Sequence, residues 1–154
     1  MKYRYVKKYI QITNTIKHLK EYARSFKKGK HWVSGVGNFI YYDDGDDRFF
    51  YCETDPSVYY IHYGINLDSS TDIFNWDQIK CYRDIIANLN NLYKEIRTND
   101  KYRNSKFKLW DMNISEPGMK DYDADLFISC EDTSEDTSFI AYVKDLHLVQ
   151  IKER

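Results

Sequence analysis

Phe39-Ile40-Tyr41-Tyr42-Asp43-Asp44-Gly45-Asp46-Asp47-Arg48-Phe49-Phe50-Tyr51 is the stretch on which the fold turns. Two runs rich in aromatic residues flank an acidic Asp-Gly centre. Asp and Gly both tolerate φ > 0, so Asp-Gly between such runs predicts a β-hairpin. Outward from it, His31 to Tyr42 reads as extended chain broken only by Gly35 and Gly37. Arg48 to Glu53 and Val58 to Tyr63 read as short strands rich in aromatic and β-branched residues. Pro56 falls in the connection, where its missing N–H harms no ladder.

Helical periodicity appears twice. Tyr5, Tyr9, Ile12, Ile16, Leu19, Ala23 and Phe26 recur at spacings of four and three, and Gly29 follows Lys27 and Lys28 as a C-terminal stop. Beside that apolar stripe runs a basic one, Lys17, Lys20, Arg24, Lys27 and Lys28. A second helix starts near Asn75. Asn75 and Gln78 have capping-box spacing, and Phe74 and Ile79 sit at the staple positions around them. Ile79, Tyr82, Ile86, Leu89, Tyr93 and Ile96 form its apolar stripe, which stops near Arg97. Strand signals resume at Lys106 to Ile114, Asp125 to Cys130, Ser138 to Val143 and Leu146 to Ile151, with Pro117-Gly118 as a turn.

The order αβββαβββ(β) predicts an α+β fold. It consists of an antiparallel sheet of six to seven strands, with two helices packed on one face and the other face solvated or held by a partner. At 154 residues, with no Gly/Ser/Pro-rich linker, residues 1–154 read as a single domain. A composition of 42% hydrophobic and 31% charged residues excludes a disordered chain. No apolar run approaches the ~20 residues a membrane span needs. The basic N-terminus lacks the apolar stretch of a signal peptide. Three widely spaced cysteines, Cys52, Cys81 and Cys130, suit free thiols in a reducing cytoplasm.

Candidate chemistry is sparse. Asp43, Asp44, Asp46 and Asp47 offer oxygen ligands to a hard cation, but a hairpin tip needs the same Asp-Gly chemistry. Asp121, Asp123 and Asp125 alternate as an EF-hand loop begins, yet Leu126 stands where that loop needs Gly and Asp132 where it needs Glu. Ser34-Gly35-Val36-Gly37 lacks the Lys-Ser/Thr and following helix of a phosphate loop. Cys52 with His62, or Cys130 with His147, are conceivable thiolate–base pairs across strands, a coincidence expected in any chain with three Cys and four His. No zinc-ligand spacing exists. The expectation is a chain with no catalytic residues, metal or cofactor.

What remains is charge and aromatic content. Residues 1–30 carry +9, 31–79 carry −8, 80–108 carry +5, 109–136 carry −8 and 137–154 carry +1. This alternation hints at duplication of an αβββ unit, although no residue-level repeat supports it. The chain has fifteen Tyr, part of which an AT-rich genome explains. Nine aromatics fall between Phe39 and Tyr63, and adjacent pairs must place one ring on each sheet face. Tyrosine supplies stiff contact area with a polar tip, and interfaces are enriched in it. Aromatic strands also stack single-stranded bases, but that use has a basic surround, and this block is acidic.

These features predict a stoichiometric inhibitor of another protein, a toxin-neutralising or phage-encoded binding protein. Its acidic, Tyr-rich face would be built from Asp43, Asp44, Asp46, Asp47, Tyr41, Tyr59, Tyr63, Asp121, Asp123 and Asp125. In general character the chain is similar to small bacterial immunity proteins and phage-encoded inhibitors, a likeness of type that transfers no residue. The expected partner is a protein with a basic surface or cleft, such as a nuclease, and not a membrane. Two other classes stay open: a nucleic-acid-associated protein using the basic N-terminal stripe, and an enzyme whose site is too diffuse to see.

Overall fold

Burial alternates residue by residue along Gly64–Asp68, Ala124–Cys130 and Ser138–Lys144, three of the eight strands that join into one sheet. The structure, a computed structural model, describes residues 31–43, 45–52, 63–131 and 137–154. The chain forms β1 (His31–Val33), β2 (Gly37–Asp43), β3 (Arg48–Cys52) and β4 (Gly64–Asp68), then helix α1 (Trp76–Ile96). It continues as β5 (Phe107–Ile114), β6 (Ala124–Cys130), β7 (Ser138–Lys144) and β8 (His147–Glu153). Strand order in the sheet is the order in sequence. Every neighbouring pair is antiparallel except β4 and β5, which run parallel, with Ile65 opposite Met112 and Leu67 opposite Ile114.

The expected fold class needs correction. The sheet is mixed and eight-stranded rather than antiparallel with six to seven strands, and the described residues contain one α-helix, not two. The parallel pair has a direct cause. A 21-residue helix spans about 32 Å and carries the chain back along the sheet, so β5 enters from the same end as β4. The predicted first helix lies outside the described residues, as does most of the Val58 to Tyr63 strand. The extended segment from His31 resolves into two strands around a turn, in which Gly35 has φ 74° and the Val36 amide donates to Val33 O at 3.0 Å. Strand β4 has no counterpart in the sequence reading, so each side of α1 carries a meander of four strands.

Helix α1 starts where its residues dictate. The Asn75 side chain accepts from the Asp77 amide at 2.9 Å, and Phe74 and Ile79 are both buried at the staple positions. Gln78 does not close a capping box. Its buried Nε2 instead donates to Asp68 O at 2.8 Å and Ile114 O at 2.9 Å, tying the ends of β4 and β5 together. The most buried stripe is Ile79, Tyr82, Ile85, Leu92 and Ile96, with Ile86, Leu89 and Tyr93 half-buried beside it. It faces Ile65, Leu67, Met112, Ile114, Leu126, Ile128, Ala141 and Val143, one sheet face made of alternate residues. The β7–β8 turn puts Asp145 (φ 49°) and Leu146 (φ 65°) in the left-handed region without a glycine. Side chains hold it: Asn88 Nδ2 donates to Leu146 O at 2.8 Å, and the Asp145 amide donates to Asp123 Oδ2 at 2.7 Å.

Candidate functional site

The parallel pair fixes which loops meet. The C-terminal ends of β4 and β5, the N-terminus of α1, the tips of the β2–β3 and β7–β8 hairpins and the turn before β6 all lie at one end of the sheet. Among the described residues, Asp43, Asp46, Asp47, Asp68, Asp72, Asp77, Glu116, Asp121, Asp123 and Asp145 gather there, against Arg48, Lys120 and Lys144. Internal ties hold this rim in shape. Arg48 pairs with Asp43 at 3.2 Å and donates to Ser70 O at 3.2 Å. Lys120 pairs with Asp68 at 2.5 Å. Burial opposes the Lys120 charge, but Asp68 overrides it and the ammonium is held above its ordinary pKa. Glu116 accepts from the Ser70 amide at 2.6 Å and from the Ser70 hydroxyl at 3.0 Å.

Within the acidic rim stand two apolar side chains that the core does not use. Ile73 is 72% exposed and Trp76 59% exposed. Trp76 leans edge-on against buried Phe74, with ring centroids 5.2 Å apart. Both border a wide depression of about 450 Å³ that also touches Thr71, Asn75, Asp77 and Glu116. A smaller cavity of about 120 Å³ lies on the other side of Asp77 and Glu116. Cys81 lines it, and burial first, then Asp123 and Asp84, pushes its thiol up to about 11, so it stays protonated. Cys52, Cys81 and Cys130 form no disulfide with one another.

The sheet face away from α1 is continuous with the rim. A β-bulge at Trp110 places Trp110 and Asp111 side by side on this face. Asp111 lies over Gly64, where a Cβ would meet its Oδ1 at 2.8 Å, so glycine makes room for the carboxyl. Asn66 Nδ2 donates to Asp111 Oδ1 at 3.2 Å and to Asn113 Oδ1 at 2.8 Å, and Asn113 Nδ2 donates to Asp125 Oδ1 at 2.6 Å. Burial raises the pKa of Asp111 and Asp125, and these amide donors only partly oppose it. Aromatic rings flank the ladder: Tyr122 packs on Tyr142 at 4.8 Å, Tyr42 stacks on Phe49 at 5.6 Å, and Lys108 sits 3.7 Å over Trp110.

The residues singled out from the sequence divide accordingly. Asp43, Asp46, Asp47, Asp121 and Asp123 lie on the one rim, with Asp43 and Asp123 about 19 Å apart by strand spacing. Asp125 lies on the adjoining face. Asp44 and Tyr59 lie outside the described residues. Tyr41 turns toward α1 and packs on Phe50 at 5.1 Å, while Tyr63 shares a 3.0 Å hydrogen bond with Tyr82 in the core. Burial raises the pKa of both tyrosines. Paired rings do split between faces, but Tyr42 is the outward member of its pair. Trp76, Ile73, Trp110, Tyr122 and Tyr142 escaped the sequence reading. Only the Trp76 position, one residue past a cap, carried a signal, since the first turn of a helix exposes such a side chain. Cys130 and His147 sit at opposite ends of their strands, and His62 lies outside the described residues. Among the described residues, no three His, Cys, Asp or Glu stand together as a metal site. No described helix is long and apolar enough to cross a membrane. No family model, curated protein or solved structure matches this chain.

Proposed function

We propose that this chain is a stoichiometric binding protein that blocks a basic site on another protein by docking the acidic rim, with Trp76 as its anchor. The observation that supports this most is the convergence of carboxylates from four separate connections around two exposed apolar side chains. Charge complementarity accelerates encounter, whereas a buried aromatic anchor slows release. A basic cleft of the kind that grips phosphate, as in a nuclease or toxin, fits that chemistry. A second reading, nucleic-acid binding through the opposite end, has some support in Arg97, Lys101, Arg103, Lys106 and Lys108. It is the weaker reading because Lys101 pairs with Glu153 and Arg103 with Asp100.

The test is kinetic. With a partner isolated by co-purification, Asp43→Asn with Asp46→Asn and Asp47→Asn keeps the hairpin, because the Asp44-Gly45 pair is untouched and an Asn side-chain oxygen at position 43 still accepts from the Gly45 amide. Association should slow and lose salt dependence. Trp76→Ala should chiefly raise the dissociation rate, by a hot-spot loss of about 2 kcal/mol, roughly thirtyfold in affinity. Unchanged rates in both variants would discard the reading.

A further inference from the structure

We infer that the 120 Å³ cavity is a binding subsite for a primary alkylammonium group, the side chain of a lysine on the docking partner. This rests on the reading of the rim as the docking surface and names the chemistry it would take.

Three observations converge on a cation with a short apolar stem. The first is an unused hydrogen-bonding group. Ser115 lines the cavity and is only 6% exposed, yet its Oγ has no hydrogen-bond partner among the described residues. A buried hydroxyl without a partner forfeits the hydrogen bonds that water would give it, so an ammonium N–H delivered to Ser115 Oγ would restore one. The second is charge. Asp77, Glu116 and Asp123 line the cavity, and Lys120, its one described cation, is engaged by Asp68. The helix N-terminus favours an anion by about half a charge, which three full carboxylates outweigh. Asp123 holds the Asp145 amide with Oδ2 alone, leaving Oδ1 to accept from a ligand.

The third is size and wall chemistry. At about 30 Å³ per water the cavity equals roughly four waters, room for a chain of four or five heavy atoms. Pro117, Gly118, Tyr122 and the neutral Cys81 thiol provide walls for methylene groups, while carboxylates and Ser115 Oγ offer acceptors to the ammonium. Lysine presents this combination of stem and three-donor head.

The probe is n-butylammonium chloride, titrated into the isotopically labelled full chain at constant ionic strength, with n-butanol and sodium butyrate as controls. The expected result is saturable chemical-shift change centred on Ser115, Gly118 and Cys81 with butylammonium alone. Ser115→Ala should weaken that binding at least threefold while leaving thermal stability equal or higher, because it deletes an unpartnered hydroxyl. Absence of saturable shifts, an equal response to butanol or butyrate, shifts spread evenly over the rim, or unchanged binding in Ser115→Ala would each overturn the subsite. The probe is a small amine, so its failure leaves rim docking to be judged by the association kinetics above. Conversely, amine binding without any rim-dependent partner would remove the docking reading and keep the subsite.

Discussion

On the face away from α1, the carboxyls of Asp111 and Asp125 give up solvation that a surface carboxylate keeps, and burial holds both pKa values above the ordinary Asp range. The sign of the effect on stability follows from linkage. A raised folded-state pKa means the folded chain keeps a proton over a window in which the unfolded chain has lost it. Stability is therefore higher below that window and falls as pH rises through the folded-state pKa. Asp111→Asn and Asp125→Asn should each unfold at a higher temperature than the parent at pH 7. The gain should shrink toward zero as pH drops below about 3.8. Thermal unfolding of variant and parent across pH 3 to 8 measures it, and lower stability at pH 7 would show the charges to be structural. Glu95 works with the opposite sign. The Leu148 amide, then His147, hold its carboxyl below the usual range, so its contribution is present at neutral pH and is lost as acid protonates it. Taking the parent as reference cancels that background.

At the scale of elements, α1 does more than cover one face. Through Gln78 it supplies the donor for a carbonyl at the end of β4 and another at the end of β5. Gln78→Met keeps length and apolar bulk but removes both donors. It should lower stability by about 1–3 kcal/mol, read as a shift in the urea midpoint at unchanged slope. The sequence announced α1 well, because capping, staple and stripe all agreed at Asn75, Phe74 and Ile79. It announced β5 to β8 to within one or two residues for the same reason: Ala124 to Cys130 alternates cleanly between core and surface. It hid β4. Gly64-Ile65-Asn66-Leu67-Asp68 has only two apolar residues among poor strand formers, and its placement comes from the neighbours β3 and β5. Missing β4 concealed the parallel pairing, and with it the gathering of distant carboxylates on one rim. The facing of Tyr41 and Tyr42 was equally hidden, since a period of two gives alternation without saying which phase points outward. Trp110 escaped because a bulge breaks that alternation.

At the scale of the whole molecule, the described residues form a polar body, acidic around the start of α1 and rich in Lys and Arg around its end. That arrangement complements the helix dipole and would orient an approaching basic partner before contact. The parallel seam between β4 and β5 has a further consequence, which concerns how the molecule opens. Within each meander, strands pair with near neighbours in sequence, whereas Asn66 and Asn113 meet across the seam from 47 residues apart. Helix α1 packs chiefly against β5 and β8, so the two meanders are unequally braced. The seam is thus the line along which the sheet would part if either half is to stay whole, against the Gln78 tie and the Asn66 hydrogen bonds that cross it. Native-state hydrogen exchange under mild denaturant should resolve two cooperative units, with amides of β1 to β3 released at lower free energy than those of β5 to β7. A single common opening energy for all strands would mean that the seam is as strong as the hairpins. If two units appear, the rim that both of them build exists only while the halves are joined, so the proposed docking surface would disappear well before the chain unfolds.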